Sequence, residues 1–573
     1  MASRAFFNGR LLTSPTVAGK VDDSAMAPVT LQTGNFLAIL GTATRGQPKT
    51  LLSFDNPSQA LRTLGDCELA EAVRKSFAPS SSTGSPGRIY AMRVGQPTQA
   101  ALTLKDGTGN DVIALTSADY GVIANQVKVK VEAATNAGRK LTTQLGSDYY
   151  TQDDVAADAF TIQYAGTGTG TMAVANTAVT LVLNSVTTTI TLASFPTVAQ
   201  LVDRLNAVAG ITASYAARAA NRATVSGLDT LTATDIKTAP VVATANLAAA
   251  VEWFNGVAEN FISATRVAGA GAVPAVLGFT YLAGGTDPAV INQDWQDALT
   301  ALQTAEVQHV VALTSAAAVH AMVDAHGQYM SAVAGKRRRG YSGPAIGTTL
   351  VTAKTLPKAL DSDRFSLCFP GYYDYDATGT LVLRPSYMTA ALVAAGFAAL
   401  PPGEPMTNKT LAVRGLELDL RNPGDTDDAI QAGLLCVENT PTGYRVVRSI
   451  TTWLENDNFN RVENSTGLAT DYMMQDVTDA LRVLKGGAAS PQTLQRGLSI
   501  IDSRLRAMAK PQPEGPGILV GDAASPAFLG LTGTIVGDQL SYTWQASPVI
   551  PANFILCTAS IRPYSGTASA VAA

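Results

Sequence analysis

The side chains that could bind a soft metal or serve as nucleophile and base are four cysteines, Cys67, Cys368, Cys436 and Cys557, and three histidines, His309, His320 and His326. The cysteines stand singly with no C-x-x-C pair, and no Cys or carboxylate lies at ligand spacing from a histidine. Buried reduced thiols and packed histidines are therefore expected. His326 falls on the stripe Val319, Met322, Val323, His326, Met330, one face of a helix. A phosphate-cradling loop needs Gly-Lys followed by Ser or Thr, and no Gly-Lys here is, Gly19-Lys20-Val21 included. Gly166, Gly168 and Gly170 resemble a dinucleotide fingerprint, but the last required glycine falls on Thr171. Gly340-Tyr341-Ser342-Gly343-Pro344 lacks the final glycine of a nucleophile elbow. Asp153 with Asp154, and Asp427 with Asp428, are adjacent and so point apart on a strand or helix. No catalytic constellation emerges, and neither a cofactor nor a metal is expected.

Two groups of cations remain. Residues 336–339 are a dense basic run, Lys-Arg-Arg-Arg, following the end of a predicted helix. They read as a solvated cap complementing the helix dipole, the alternative being a contact with an acidic patch on another subunit. Near the C-terminus, Ser490 and Pro491 open a helix as N-cap and first helical residue. Leu494, Leu498, Ile501, Leu505 and Met508 form its apolar stripe, while Arg496, Arg506 and Lys510 point away and Arg504 lies on the flank. This basic face is either solvated or a docking surface.

The elements that would position these groups belong to a large chain. At 573 residues there is room for roughly four domains. Apolar residues make up 46% and charged residues only 15%, against about 25% in an average protein, so the surface is unusually bland. A formal net charge of −4 offers no footprint for nucleic acid or anionic lipid. The longest apolar stretch, residues 390–400, contains Gly396 and stops at Pro401 and Pro402, too short for a bilayer core of about 30 Å. The N-terminus lacks the charged-then-apolar plan of a secretory signal, so folding in a cytoplasm is expected.

Residues 1–30 are rich in Gly, Ser, Thr and Pro with weak alternation, as in an extended arm that needs a partner to order it. A strand over 36–41 and a helical stretch over 57–77 follow, then a strand over 88–94. Between 160 and 202 there is no charged residue, and Thr, Val and Ala dominate. Residues 96–281 thus read as a mostly β insertion with one short helix at 198–207. Strand and helix then alternate: a helix carrying Trp295, Ala298, Leu299 and Leu302, a strand at 307–313, a helix at 316–334, a strand at 364–369 and a helix after Pro385. This implies a parallel-type sheet covered by helices, split in sequence by the insertion. A hairpin of strands 434–438 and 444–454, two amphipathic helices and short strands from Ile518, Gln539 and Phe554 complete the chain.

Several segments resemble a known family. Gly443-Tyr444-Arg445-Val446-Val447-Arg448-Ser449-Ile450-Thr451-Thr452-Trp453 is similar to the G-x-x-V-x-R-S-I-T-T segment of the contractile-tail sheath proteins of bacteriophages, notably the Mu-like group. Leu282-Ala283-Gly284-Gly285-Thr286-Asp287 with Trp295 and Leu299 resembles that family's L-x-G-G-T-D turn and helix, and Phe369-Pro370-Gly371-Tyr372 its strand-ending Pro-Gly. Gly41-Thr42-Ala43 with Gly46 resembles its G-x-A-x-x-G, and Tyr120-Gly121, Asn125 and residues 127–131 its G-x-x-x-N-x-x-x-V strand.

The resemblance implies a multidomain α+β and α/β fold: a split α/β core sandwich, a β-rich insertion and a C-terminal α+β domain with extended terminal arms. The expected divisions are 1–30 arm, 31–95 and 282–454 core, 96–281 outer insertion of one or two domains, and 455–573 inner domain with the C-terminal arm. It further implies a non-enzymatic virion subunit, assembled in the host cytoplasm, that stacks as hexameric rings around a tail tube between baseplate and tail terminator. Contraction of this sheath would drive the tube through the host envelope. Terminal strands lent to a neighbour's sheet would link the rings, with Phe6, Leu11, Leu12, Val17, Phe554, Leu556 and Ile561 as arm residues. In the family the C-terminal domain faces the tube, which makes Arg496, Arg506 and Lys510 candidate tube contacts. A related cellular injection device and, further off, an α/β enzyme are the alternatives.

Overall fold

The computed structural model describes residues 5–7, 10–12, 35–256, 260–376 and 378–566. The chain forms two compact units, one of Met1–Ala38, Ser76–Ile89 and Ala305–Ala573, the other of Ile39–Lys75 and Tyr90–Thr304.

In the first unit the strands His309–Ala312, Arg339–Ser342, Phe365–Phe369 and Leu434–Thr440 pair in parallel in that order, and Gly443–Val446 closes the row antiparallel. His309–Ala312, Phe365–Phe369 and the start of Leu434–Thr440 are largely apolar runs, Arg339–Ser342 is not, and the first three strands are buried along their length. The helices Ala317–Ala332 and Ser386–Ala399 lie against these strands. Alternation sets the faces: a Cβ on Gly340 would stand 2.6 Å from Val323 of the first helix, whereas the ring of Tyr341 meets Phe397 of the second. Gly340 is thus glycine because helix and strand approach too closely for any side chain. The helix Ser386–Ala399 is buried from Met388 to Ala398, as an all-apolar sequence requires.

The C-terminal part of this unit has helices Asn464–Leu481 and Pro491–Ala509 packed on a hairpin of Phe528–Val536 and Gln539–Ala546. Ser490 caps the second helix by accepting from the Thr493 amide at 3.2 Å, and Ile501, Leu505 and Met508 are wholly buried.

The second unit contains two hydrophobic cores. One, around Val129, Leu141, Phe254 and Ile262, lies under the strand order Asp148–Val155, Arg139–Leu145, Lys128–Ala133, Leu277–Tyr281 and the row Ile262–Arg266, Asp111–Tyr120, Gln99–Lys105. The other, around Phe160, Leu181, Leu201 and Val202, is formed within residues 159–245, where the predicted short helix is Val198–Asn206 with a Thr197/Gln200 capping box. The uncharged Thr-rich run becomes the strands Gly170–Val174, Ala178–Leu183 and Val186–Thr191.

The mixed α+β class holds, and several local expectations are corrected. The 57–77 stretch is two helices, Pro57–Leu64 and Glu68–Ser76, because Gly65 takes φ of 78° and ends the first. Asn246–Gly256 is a helix inside the supposedly β region, its first amides capped by Asp229. Strand 444–454 stops at Val446, after which the chain turns inward to bond with several elements. No strand forms at Phe554: residues 551–566 have no ladder partner among the described residues of their own chain. Ile518 and Leu519 contribute only an isolated bridge to Pro548. Residues 5–7 and 10–12 pair with each other as a short hairpin.

Candidate functional site

The groups examined first for chemistry are consumed by structure. The Ser342 hydroxyl donates to the carbonyls of Ala312 and Thr314 at 2.9 and 2.8 Å, inside the sheet. Burial pushes the Cys368 thiol up and the Cys436 thiol up to about 12, so neither is a thiolate near neutrality. Asp153 and Asp154 hold the turn at Thr135 and Asn136, and Asp428 pairs with Lys354 at 2.6 Å. Among the described residues no three His, Cys, Asp or Glu could share a metal ion.

The basic run 336–339 is not a solvated cap. Arg338 and Arg339 are 1% and 2% exposed. Arg338 donates to His326 at 2.8 Å and to the Ala305 carbonyl. Asp471, on the helix Asn464–Leu481, accepts from Arg339 at 3.0 Å and Arg364 at 2.5 Å, with Arg337 at 3.9 Å. Burial pushes the Asp471 carboxyl upward, but Arg339 and Arg364 outweigh it and hold it below the ordinary range. The acidic partner imagined on another subunit is in the same chain. Dense cationic sequence looked solvated because the matching carboxylate lies more than a hundred residues away.

The segments that carry the family resemblance converge on two such clusters. In the second unit, the buried Arg93 binds Asp287 at 2.6 Å and donates to the carbonyls of Gly46 and Tyr120. Asp287 also accepts from the Val122 amide, and Asn125 exchanges hydrogen bonds of 2.7 and 2.8 Å with Gly285. Gly121, at φ of 92°, leaves no room for a Cβ beside Asp287. Three segments distant in sequence thus meet at one ion pair, and Arg93 is the residue sequence reading missed.

In the first unit, Arg448-Ser449-Ile450-Thr451-Thr452 sews the sheet to the C-terminal helices. Thr452 exchanges bonds with Ser362 and Phe365, and Thr451 donates to the Arg461 carbonyl at 2.6 Å. Ser366 donates to the Ile450 carbonyl. Arg448 pairs with the wholly buried Glu463 at 2.6 Å, and Glu463 in turn accepts from Asn553 at 2.7 Å. Glu463 stands at the N-terminal end of Asn464–Leu481, where a negative charge is favoured.

Beyond Asn553 the tail is bare: Phe554, Ile555, Leu556, Ile561 and Tyr564 are 79–96% exposed. Five large apolar side chains in eleven residues cannot be an ordinary solvated terminus. Of the N-terminal arm residues, Phe6 lies in the strand Ala5–Phe7 and Leu11 and Leu12 in Arg10–Leu12, while Val17 lies outside the described residues. Arg496, Arg506 and Lys510 are exposed on the terminal helix, Arg506 paired with Asp502 at 2.8 Å and stacked over Phe528. Arg504 turns inward to the buried Asp476 at 3.6 Å.

Residues 289–452 match the family described as phage tail sheath protein central domain. The tail sheath protein of Bacillus phage SP01 is 27% identical over 498 residues, covering 83% of this chain and 84% of that protein. Sheath tail proteins from Listeria innocua and Desulfitobacterium hafniense share the fold, with TM-scores of 0.53 and 0.52 at 12% identity, over 91% and 94% of this chain and 97% and 100% of theirs. Residues 289–452 are therefore similar to the phage tail sheath central domain, and the chain resembles tail sheath proteins along most of its length.

Proposed function

We propose that this protein is the structural subunit of a contractile tail sheath, a virion component that assembles in the host cytoplasm. Its copies stack as hexameric rings around a tail tube, between baseplate and tail terminator, and shorten together to drive the tube through the host envelope. The role is mechanical rather than enzymatic. In this reading residues 31–95 and 282–454 are the packing body, 96–281 the outer part, and 455–573 the inner part facing the tube. The arms, through Phe6, Leu11 and Leu12 at one end and Phe554, Leu556 and Ile561 at the other, lend strands to neighbouring subunits.

The observation that carries this is the tail after Asn553, apolar, almost wholly exposed and without a partner strand among the described residues of its own chain. Its backbone amides and carbonyls are free to complete a neighbour's sheet, and burial of its side chains there would supply the affinity. The short hairpin at residues 5–12 supports the same role, because two three-residue strands are marginal alone in water.

Electron microscopy of the purified chain, beside variants lacking residues 5–20 or ending at Asn553, tests it. Rings or tubes from the intact chain, lost in both variants while the bodies stay folded, are expected. Unchanged assembly without either arm would refute strand exchange.

A further inference from the structure

In the second unit, the sheet of Asp148–Val155, Arg139–Leu145, Lys128–Ala133 and Leu277–Tyr281 buries Val129, Val131 and Leu141 on one face. Register fixes what stands on the other. Tyr149 lies opposite Gln144, Gln144 opposite Lys128, and Lys128 opposite Tyr281, one row across four strands. A second row holds Thr151, Thr142 and Lys130, with Phe279 beside it. Tyr149, Tyr281 and Phe279 are 61%, 57% and 47% exposed. Three strand spacings place the two tyrosines about 14 Å apart.

We infer that this face binds an acidic sugar polymer. Exposed rings at both edges of the sheet, separated by a few pyranose widths, suit stacking of the apolar C–H faces of sugars. Between them the Gln144 amide, the Thr151 hydroxyl and the Lys128 ammonium can meet sugar hydroxyls, while the buried Thr142 hydroxyl is paired with that of Thr151 at 2.9 Å. The charge pattern selects the class. Glu132 neutralises Lys130 at 2.7 Å and reaches Lys140 at 3.8 Å, whereas Lys128 meets only rings, 4.8 Å from the Phe279 centroid and 5.7 Å from that of Tyr281. One cation without a carboxylate partner among the described residues, set between aromatic rings, complements a carboxylate or phosphate spaced along a glycan. Nucleic acid, with a charge on every residue, needs a continuous basic track, which the Glu132 pairing removes.

Binding of the full chain to immobilised hyaluronan, dextran and single-stranded DNA tests this. Hyaluronan is expected to bind in preference to both controls. Tyr149→Ala and Tyr281→Ala should each weaken it by about tenfold, Tyr281→Phe should retain it, and Lys128→Gln should weaken it and flatten its salt dependence. Should an alanine variant melt early, Lys128→Glu, a surface charge reversal, must abolish hyaluronan binding. No hyaluronan binding, equal binding by the variants, or DNA binding at least as tight would overturn the assignment.

Discussion

Asn553 donates its side-chain amide to the Glu463 carboxylate oxygen Oε1 at 2.7 Å, and Arg448 pairs with that same oxygen at 2.6 Å. The last anchored residue of the body is therefore tied, through Glu463 ninety residues earlier, to Arg448 of the segment that resembles the sheath family. Residues 554–566 beyond it are exposed.

The first prediction concerns that anchor. Glu463→Ala strands the Arg448 guanidinium and should cost about 3 kcal/mol, seen as a lowered urea midpoint. Asn553→Ala removes one hydrogen bond and should cost about 1 kcal/mol, yet speed proteolysis between 548 and 556 by releasing the root of the tail. Equal protease rates in Asn553→Ala and wild type would contradict the anchoring role.

Asp471 is the one carboxylate contacted by Arg337, Arg339 and Arg364 among the described residues. Asp471→Asn should destabilise the first unit by about 3–5 kcal/mol, since it leaves buried guanidinium charge uncompensated. Thermal melting of variant and wild type checks this; a shift no larger than that of a surface substitution would count against it.

All three histidines are held neutral. Burial and the nearby Arg339 charge push His309 down to about 3, burial and Arg338 push His326 down to about 4, and burial lowers His320. The unfolded chain binds these protons near pH 6.5 and the native state does not, so stability is full above about pH 6.5 and is lost as pH falls toward about 4. Asp471, held below its ordinary range, adds a further loss at still lower pH. Urea midpoints across this window should fall steadily, and His326→Gln should make the fall shallower. A flat profile would exclude the histidines as its source.

Gly340→Ala places a methyl 2.6 Å from Val323 and 2.8 Å from the Phe365 ring, and should cost about 1–3 kcal/mol. Val323→Ala in the same chain should recover part of that loss. Additive effects of the two changes would show that the contact is not what constrains the position.

Replacing Arg496, Arg506 and Lys510 together with Gln tests the proposed tube-facing surface. The melting temperature should hardly change, because among the described residues Arg506 is engaged by the surface residue Asp502 and by Phe528. Co-sedimentation with tail tubes should weaken and lose salt sensitivity; unaltered co-sedimentation would remove these residues from the interface.

The strands His309–Ala312, Phe365–Phe369 and Leu434–Thr440 and their covering helices were legible because apolar runs and helical periodicity are local signals, whereas Arg339–Ser342 holds Arg, Gly, Tyr and Ser and did not read as a strand. Ser490 and Pro491 marked a helix start for the same reason. The helix Asn246–Gly256 escaped because its cap, Asp229, lies seventeen residues upstream and its Ala and Val neighbours read as strand. The misreading of 336–339 has a like origin: whether an arginine is solvated depends on a carboxylate that folding alone brings near. At the arms the reverse holds. A segment of β-formers reads as a strand in any chain, but a ladder needs a second strand, and residues 551–566 find none among the described residues of their own chain.

The inward-turned hydroxyls of Thr451 and Thr452 and the buried Arg448–Glu463 pair carry one more implication. These contacts belong to the body, whereas residues 554–566 are exposed. On the proposed reading the tail is a transplantable address. Exchanging residues 554–566 between two such proteins should redirect which partner each recruits while leaving both bodies folded as before.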